Sequence, residues 1–180
     1  NGEHERIKQY YNEARFMRAY LAFQLLRQYG PIVIPEDEPI APDLPSSDPL
    51  MRKARASYDE CVDWIVKELD EAAKGLPTHF TDQLTTDYGR ATKAACMAVK
   101  ARLLLYAASP QFNGNENYKG YMNSDGTPLF AQTYDANKWK RAADAAKDII
   151  NLNIFSLYRV NYSGTETLNP FLSCRNLFLD

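Results

Sequence analysis

Cysteine and histidine are scarce in this sequence, and their scarcity removes the commonest kinds of metal and disulfide chemistry. The 180 residues hold three cysteines and two histidines. Cys61, Cys96 and Cys174 show no C-x-x-C spacing and are odd in number, which argues against a zinc cluster and against a disulfide framework. They read as buried free thiols, the first two inside helical patterns where a small thiol packs like an apolar residue. His4 and His79 stand alone, one near the start and one in a loop, so no metal site is expected. A nucleophile elbow and a phosphate-binding loop are also missing, and no cofactor is called for.

An excess of either charge is lacking too. With 21 basic and 23 acidic residues the net charge is -2, which offers no footprint for a phosphate backbone and no basic anchor for anionic lipid. Nucleic acid is therefore excluded as the partner. No apolar run approaches the ~18 residues that span a bilayer, and the opening NGEHERIKQYYNEARF has no apolar stretch of the kind a secretion signal carries. The expectation is a soluble chain, or one whose targeting segment has been removed. A helical pattern already under way at Glu5, with nothing before it to cover its apolar faces, further suggests a piece of something longer.

What is present is a run of helices. An apolar content of 45% is enough for a core and rules out disorder. The first helix is expected from about Glu3 to Tyr29; in its second half Phe16, Met17, Ala19, Tyr20, Leu21, Ala22, Phe23, Leu25 and Leu26 leave hardly a polar side, so it is expected to be covered on two sides or buried wholly. Gly30 and Pro31 end it. A stretch with Pro31, Pro35, Pro39, Pro42, Pro45 and Pro49 then crosses the surface in extended form. Ser57 and Glu60 form a capping box that opens a second helix, with Val62, Ile65, Leu69, Ala72, Ala73 and Leu76 on one face and Gly75 and Pro77 at its end. A third helix, about Thr92 to Ala108, is rich in alanine and admits a close neighbour. A fourth runs from Lys138 to about Leu152, with Trp139, Ala142, Ala143, Ala146, Ile149 and Ile150 on one face. Beyond it Phe155, Leu157, Tyr158, Val160 and Tyr162 suggest a short extended segment.

The helices also carry a repeat. Tyr58, Cys61, Val62 and Ile65 share their spacing with Trp139, Ala142, Ala143 and Ala146, the pattern of helix A in a tetratricopeptide repeat, and Ala19, Phe23, Leu26 and Pro31 fit helix B. The third helix fits less well, because Arg102 stands where the pattern wants an aromatic. Periodicity alone leaves an ordinary amphipathic bundle open. The reading is an all-α protein of tetratricopeptide-like antiparallel helix pairs with long inserted loops, in which the helices starting near Glu3, Ser57 and Thr92 are neighbours and the proline-rich segment lies outside them.

Longer strings are more specific. EARFMRAYLAFQLLRQYGPI at Glu13 to Ile32, SYDECVDWIVKELDEAAKGLP at Ser57 to Pro77, GRATKAACMAVKARLLLYAASPQFNG at Gly89 to Gly114 and WKRAADAAKDII at Trp139 to Ile150 resemble, in order, the helical blocks of the SusD/RagB family. The resemblance implies a surface-exposed outer-membrane lipoprotein that binds a glycan, or in some members a peptide, and delivers it to a SusC-like TonB-dependent transporter. It implies no enzyme activity. It further implies that residues 1–180 are part of a larger SusD-like helical domain whose lipid anchor and C-terminal portion lie elsewhere, and none of the three cysteines is the lipid site. A peptide-binding RagB-like capture protein and a structural tetratricopeptide scaffold for protein–protein contact are the alternatives. The helical portion is expected to serve the barrel more than the sugar.

Binding residues are sought between Pro110 and Asn137, where turn-formers alternate with aromatics. Phe112, Asn113, Asn115, Asn117, Tyr118, Tyr121 and Asp125 supply rings to stack on the C–H faces of sugars and polar ends to pair with hydroxyls. The same tyrosines could equally pin the loop to the helices beneath. Arg90, Lys93, Lys100 and Arg102 would suit an anionic sugar or simply be surface charges. Asp59, Glu60, Asp63, Glu68, Asp70 and Glu71 crowd one helix and read as a solvated face supported by Lys67 and Lys74, without the paired carboxylates of a glycosidase.

Overall fold

The computed structural model describes residues 2–80 and 87–179. Among them are five α-helices: α1 (Gly2–Tyr29), α2 (Tyr58–Lys74), α3 (Lys93–Ala108), α4 (Asn137–Ile150) and α5 (Pro170–Asn176), with no strand beyond two isolated bridges. The chain divides into a large unit, Asn1–Ile149, and a small one, Ile150–Asp180.

Local sequence sets the helix ends. At α2 the capping box forms as the sequence predicts: Ser57 Oγ accepts from the Glu60 amide at 3.3 Å and Glu60 Oε2 accepts from the Ser57 amide at 2.7 Å. Thr92 caps α3 through the Ala95 amide. Gly30 ends α1 in the left-handed region at φ 75°, its amide donating back to the Leu26 carbonyl, and the chain turns sharply into Pro31.

The pairs are antiparallel. Ala56 at the start of α2 donates to the carbonyl of Ile32 just after α1, while Arg15 in the first half of α1 reaches Glu68 in the last turns of α2. Lys93 at the start of α3 donates in turn to the Pro77 carbonyl just past α2. Helix α2 lies between α1 and α3 and packs along both. Its Cys61, Ile65, Leu69 and Ala72 are fully buried against Ala19, Phe23 and Leu26 of α1 and Leu103 and Ala107 of α3. Truncating a leucine such as Leu69 to alanine would cost about 2–5 kcal/mol. Outside these helices the proline-rich segment is mostly exposed; only Pro31 is buried, with Ile32 and Ile34 leaning on the core, and a short 3-10 turn at Pro49–Arg52 interrupts it.

Four expectations are corrected. Within the described residues α1 is not covered on two sides: Ile7, Tyr11, Met17, Leu21 and Leu25 stay exposed beside the buried face of Ala19, Ala22, Phe23 and Leu26. The buried face of α4 is Ala142 and Ala145, because Lys138 and Arg141, one turn apart, reach Asp59 and Asp63 on α2; Trp139, Ala143 and Ala146 are thereby turned outward. Cys61 and Cys96 are buried free thiols, but Cys174 is exposed on α5. Residues 155–162 form no strand and contribute only an Asn161–Leu168 bridge, while the capped helix α5, led by Asn169 and Pro170, was not foreseen.

The acidic face of α2 is not merely solvated either. Glu68 is buried, with only 3% of its side chain exposed, and is held by Arg15 and Arg18 of α1. Arg18 also lies over the ring of Trp64 at 5.5 Å. Asp70 takes Lys100 from α3, and Glu71 takes Lys74 within the helix. Lys74 thus supports the acidic face as expected, at Glu71, while α1, α3 and α4 supply the counter-charges of Glu68, Asp70, Asp59 and Asp63.

Candidate functional site

The long insertion after α3 folds back on the start of α2. The Leu129 carbonyl accepts from the Tyr58 amide (2.8 Å), the Leu129 amide donates to the Tyr121 carbonyl (3.0 Å), and Asn123 Nδ2 donates to the Arg55 carbonyl at 2.8 Å. Between these ties residues 123–127 make a tight turn, with Asn123 and Thr127 bonded across it. Tyr121 and Phe130 are therefore fixed on two sides of one small closed loop.

That closure builds a ladder of rings. Phe112 stacks on Tyr58 at 4.2 Å between centroids, Tyr118 stacks on Phe130 at 4.4 Å, and Tyr121 meets Tyr118 and Phe130 edge-on at 5.7 and 6.2 Å. Exposure is graded along it. Tyr58 and Phe130 are buried, Phe112 and Tyr118 half-buried, and Tyr121 is 57% exposed. Burial also pushes the Tyr58 phenol well above its ordinary value, with the Asp59 charge adding to the effect, so it stays a neutral packing group at any working pH.

The ladder forms one wall of a groove of about 250 Å³ whose other wall is the end of α1. Arg27, Gln28, Tyr29, Gly30 and Pro31 line that side, Phe112, Tyr118, Tyr121 and Phe130 supply the rings, and Arg55 and Gln111 also contribute to the lining. Gly30 is needed here for its positive φ; a Cβ on it would make only an ordinary contact, 3.5 Å from the tip of Phe130. The groove thus combines flat apolar rings with amide and guanidinium donors, a combination suited to a ligand with C–H faces and oxygen-bearing edges.

The sequence-predicted residues separate into two groups. Phe112, Tyr118 and Tyr121 come together in the groove. Asn113 is buried, and its amide ties the end of α3 to the approach to α4, donating to the Asp135 carbonyl at 2.9 Å while its oxygen accepts from the Asp135 amide at 2.8 Å. Asn115 caps a short turn through the Asn117 amide, and Asn117 itself is exposed away from the groove lining. Asp125 accepts from the Thr127 amide, and that bond, with the Thr127 side chain, holds its carboxyl below the usual range. These polar residues shape the loop that carries the rings. Tyr58, Phe130, Arg55 and the Arg27–Pro31 wall were not picked out by sequence reasoning. A Leu129–Phe130 apolar pair inside an otherwise polar loop was the available signal.

The cations of α3 and its approach are engaged elsewhere. Arg90 forks onto Glu13 with bonds of 2.8–3.0 Å and also reaches Asp87, Lys100 holds both oxygens of Asp70 at 2.8 Å, and Arg102 bonds the Tyr106 hydroxyl. Lys93 and Lys100 line one cleft of about 320 Å³ with Lys74, which Asp70 and Asp148 also line, while Arg90 and Arg102 lie outside it. No group of His, Cys, Asp and Glu among the described residues is arranged to hold a metal ion.

Residues 1–106, more than half of the chain, match a family described as starch-binding and associating with the outer membrane. The chain belongs to the SusD-like family. Among solved structures, the SusD-like chain is similar to the protein BT4246, with 41% identity and a TM-score of 0.77 over 87% of this chain and 27% of that one. It shares its fold with a SusD-like protein from Bacteroides fragilis, at 20% identity and TM-score 0.58, and with a SusD-like carbohydrate-binding protein from the same organism, at 22% and 0.56; each match covers 87% of this chain and 23% of the other. The chain therefore spans about a quarter of the length of the solved structures it matches. No curated protein matches it. The SusD-like match covers α1, α2 and nearly all of α3, and the loop that supplies Phe112, Tyr118, Tyr121 and Phe130 lies beyond it.

Proposed function

We propose that this SusD-like chain belongs to a surface-exposed outer-membrane lipoprotein that captures glycans and delivers them to a SusC-like TonB-dependent transporter, making and breaking no bond. The observation that carries the reading is the aromatic groove at the end of α1, in a chain whose family is described as starch-binding and associating with the outer membrane. One of its fold relatives is also named as carbohydrate-binding. In this reading sugar rings stack on Tyr121 and Tyr118 while Gln28 and Gln111 pair with hydroxyls. The part of the loop named from sequence that contacts ligand is Phe112, Tyr118 and Tyr121; Asn113, Asn115, Asn117 and Asp125 hold it in shape.

Residues 1–180 are one portion of a larger SusD-like domain, with the lipid anchor and further binding surface supplied by other parts of the protein; the quarter-length match to solved relatives supports this. No helix among the described residues is long and apolar enough to cross a membrane; in this reading the transporter carries the ligand inward. The exposed stripe of Ile7, Tyr11, Met17, Leu21 and Leu25 along α1 is available for contacts beyond this chain. Screening the full-length protein on an array of oligosaccharides and peptides tests the reading. Glycan binding is expected; binding of peptides alone, or release of reducing ends from a bound polysaccharide, would overturn it. Pull-down of the tagged protein from mildly solubilised outer membranes is expected to bring a large barrel with it.

A further inference from the structure

Most arginines that bind the helices together in this chain are neutralised where they stand. Arg15 and Arg18 share Glu68, Arg90 is forked by Glu13, and Arg141 is paired with Asp63. The aromatic groove differs, because two arginines line it and no carboxylate does. Arg27 acts on the hydroxyl of Tyr106, a neutral partner, and together with the stronger bond from Arg102 holds that phenol below its ordinary value; no ion pair of Arg27 is found among the described residues. The guanidinium of Arg55 has no acceptor among the described residues, although its backbone is fixed on both sides: its carbonyl accepts from Asn123 at 2.8 Å and the next amide, that of Ala56, donates to Ile32 at 3.0 Å. A positioned backbone thus presents, in the lining of a groove walled by rings, a cation without a counter-charge among the described residues.

Resting on the glycan reading above, we propose that the groove takes a uronate-bearing glycan and that Arg55, seconded by Arg27, receives the sugar carboxylate. A guanidinium presents parallel N–H donors that match the two oxygens of a carboxylate, and such a charge-assisted pair is stronger than a neutral hydrogen bond. A pyranuronate fits both demands, since its carboxylate projects from the edge of the ring while its C–H face remains free to stack on Tyr121. A volume of about 250 Å³ is less than that of most drug-sized sites, so the groove grips a short stretch of a longer chain. Of the cations whose sequence pattern would suit an anionic sugar, Arg90, Lys93, Lys100 and Arg102, three are engaged within the fold.

The test uses the full-length protein on an array of uronate-bearing oligosaccharides derived from pectin, alginate and glycosaminoglycan, each beside its carboxyl-reduced counterpart, with neutral glucans and mannans included. At least one acidic oligosaccharide is expected to bind about tenfold more tightly than its reduced form. Arg55→Gln is expected to remove most of that tenfold difference, Arg55→Lys to restore part of it, and added salt to weaken the acidic ligand only. Arg55 is exposed, so a thermal melt that is unchanged checks that the variants fold. Preference for neutral glycans, or acidic binding untouched by Arg55→Gln, overturns this inference and leaves the capture reading standing. Binding of no glycan of either kind removes both.

Discussion

Glu68 is the charge on which the α1–α2 pair turns, and replacing it has a calculable cost. Arg15 grips it with two bonds, Nη2 to Oε1 at 2.8 Å and Nε to Oε2 at 3.1 Å, and Arg18 adds a third to Oε2. At about 1.5–3 kcal/mol for a hydrogen bond to a charged group, three bonds would contribute roughly 4–9 kcal/mol. Removing the carboxylate from water offsets several of these. Exposure then decides which partner matters more. The carboxylate side chain is 3% exposed, while Arg15 and Arg18 are 22% and 32% exposed and can turn to water when it is lost. Glu68→Gln is therefore expected to cost about 2–3 kcal/mol. Arg15→Met with Arg18→Met, which leaves a buried carboxylate alone, should cost about 3–5 kcal/mol, and the triple apolar replacement with Glu68→Leu should return to within about 1 kcal/mol of the parent. Urea denaturation followed by circular dichroism at pH 7 measures all three. The pH dependence has a definite sign. Burial, the largest influence, would raise the Glu68 pKa, but the hydrogen bonds and charges of Arg15 and Arg18 outweigh it and hold it below the ordinary 4.5. Its contribution is thus complete above that value and is lost as pH falls through the lower folded pKa, and Glu68→Gln should flatten this part of the profile. A parent and Glu68→Gln variant of equal stability at pH 7 would refute the reasoning.

Two further outcomes follow from single contacts. A Cβ on Gly75 would fall on the buried side-chain amide of Asn12, whose Cγ would be only 2.6 Å away, so Gly75→Ala should cost about 1–3 kcal/mol in urea denaturation, and adding Asn12→Ala should recover part of the loss; equal stability of parent and Gly75→Ala would contradict this. Burial pushes the Cys96 thiol up to about 12 and raises Cys61 as well, so thiol titration of the native chain at pH 8 should label Cys174 alone and all three only in denaturant; prompt labelling of Cys96 would show that α3 does not pack as described.

The helical frame was legible because its signals are local. A capping box at Ser57, a glycine–proline stop at Gly30 and the three- and four-residue spacing of Val62, Ile65, Leu69 and Ala72 each depend on neighbours in sequence, and the structure keeps all of them. What failed depended on distant partners. The sequence places Ala142, Ala143 and Ala146 on one broad face of α4, but the choice between its two halves is made by Asp59 and Asp63, about eighty positions earlier. Glu68 looked like its acidic neighbours until two arginines of α1 closed on it. The groove shows the same division. Phe112, Tyr118 and Tyr121 could be read as binding aromatics from their loop, but Arg55 and Arg27 join them only through the return of the chain onto α2 and the end of α1.

The claim that the aromatic groove holds the glycan is tested most directly at Tyr121. It is the most exposed ring of the ladder and touches its neighbours only edge-on, so Tyr121→Ala should leave stability within about 0.5 kcal/mol. Isothermal titration of the full-length protein and of this variant with an oligosaccharide that binds on the array gives the answer. A loss of about tenfold in affinity, with an unchanged thermal midpoint, is the result this account predicts. Affinity equal to that of the parent would place the sugar elsewhere and contradict it.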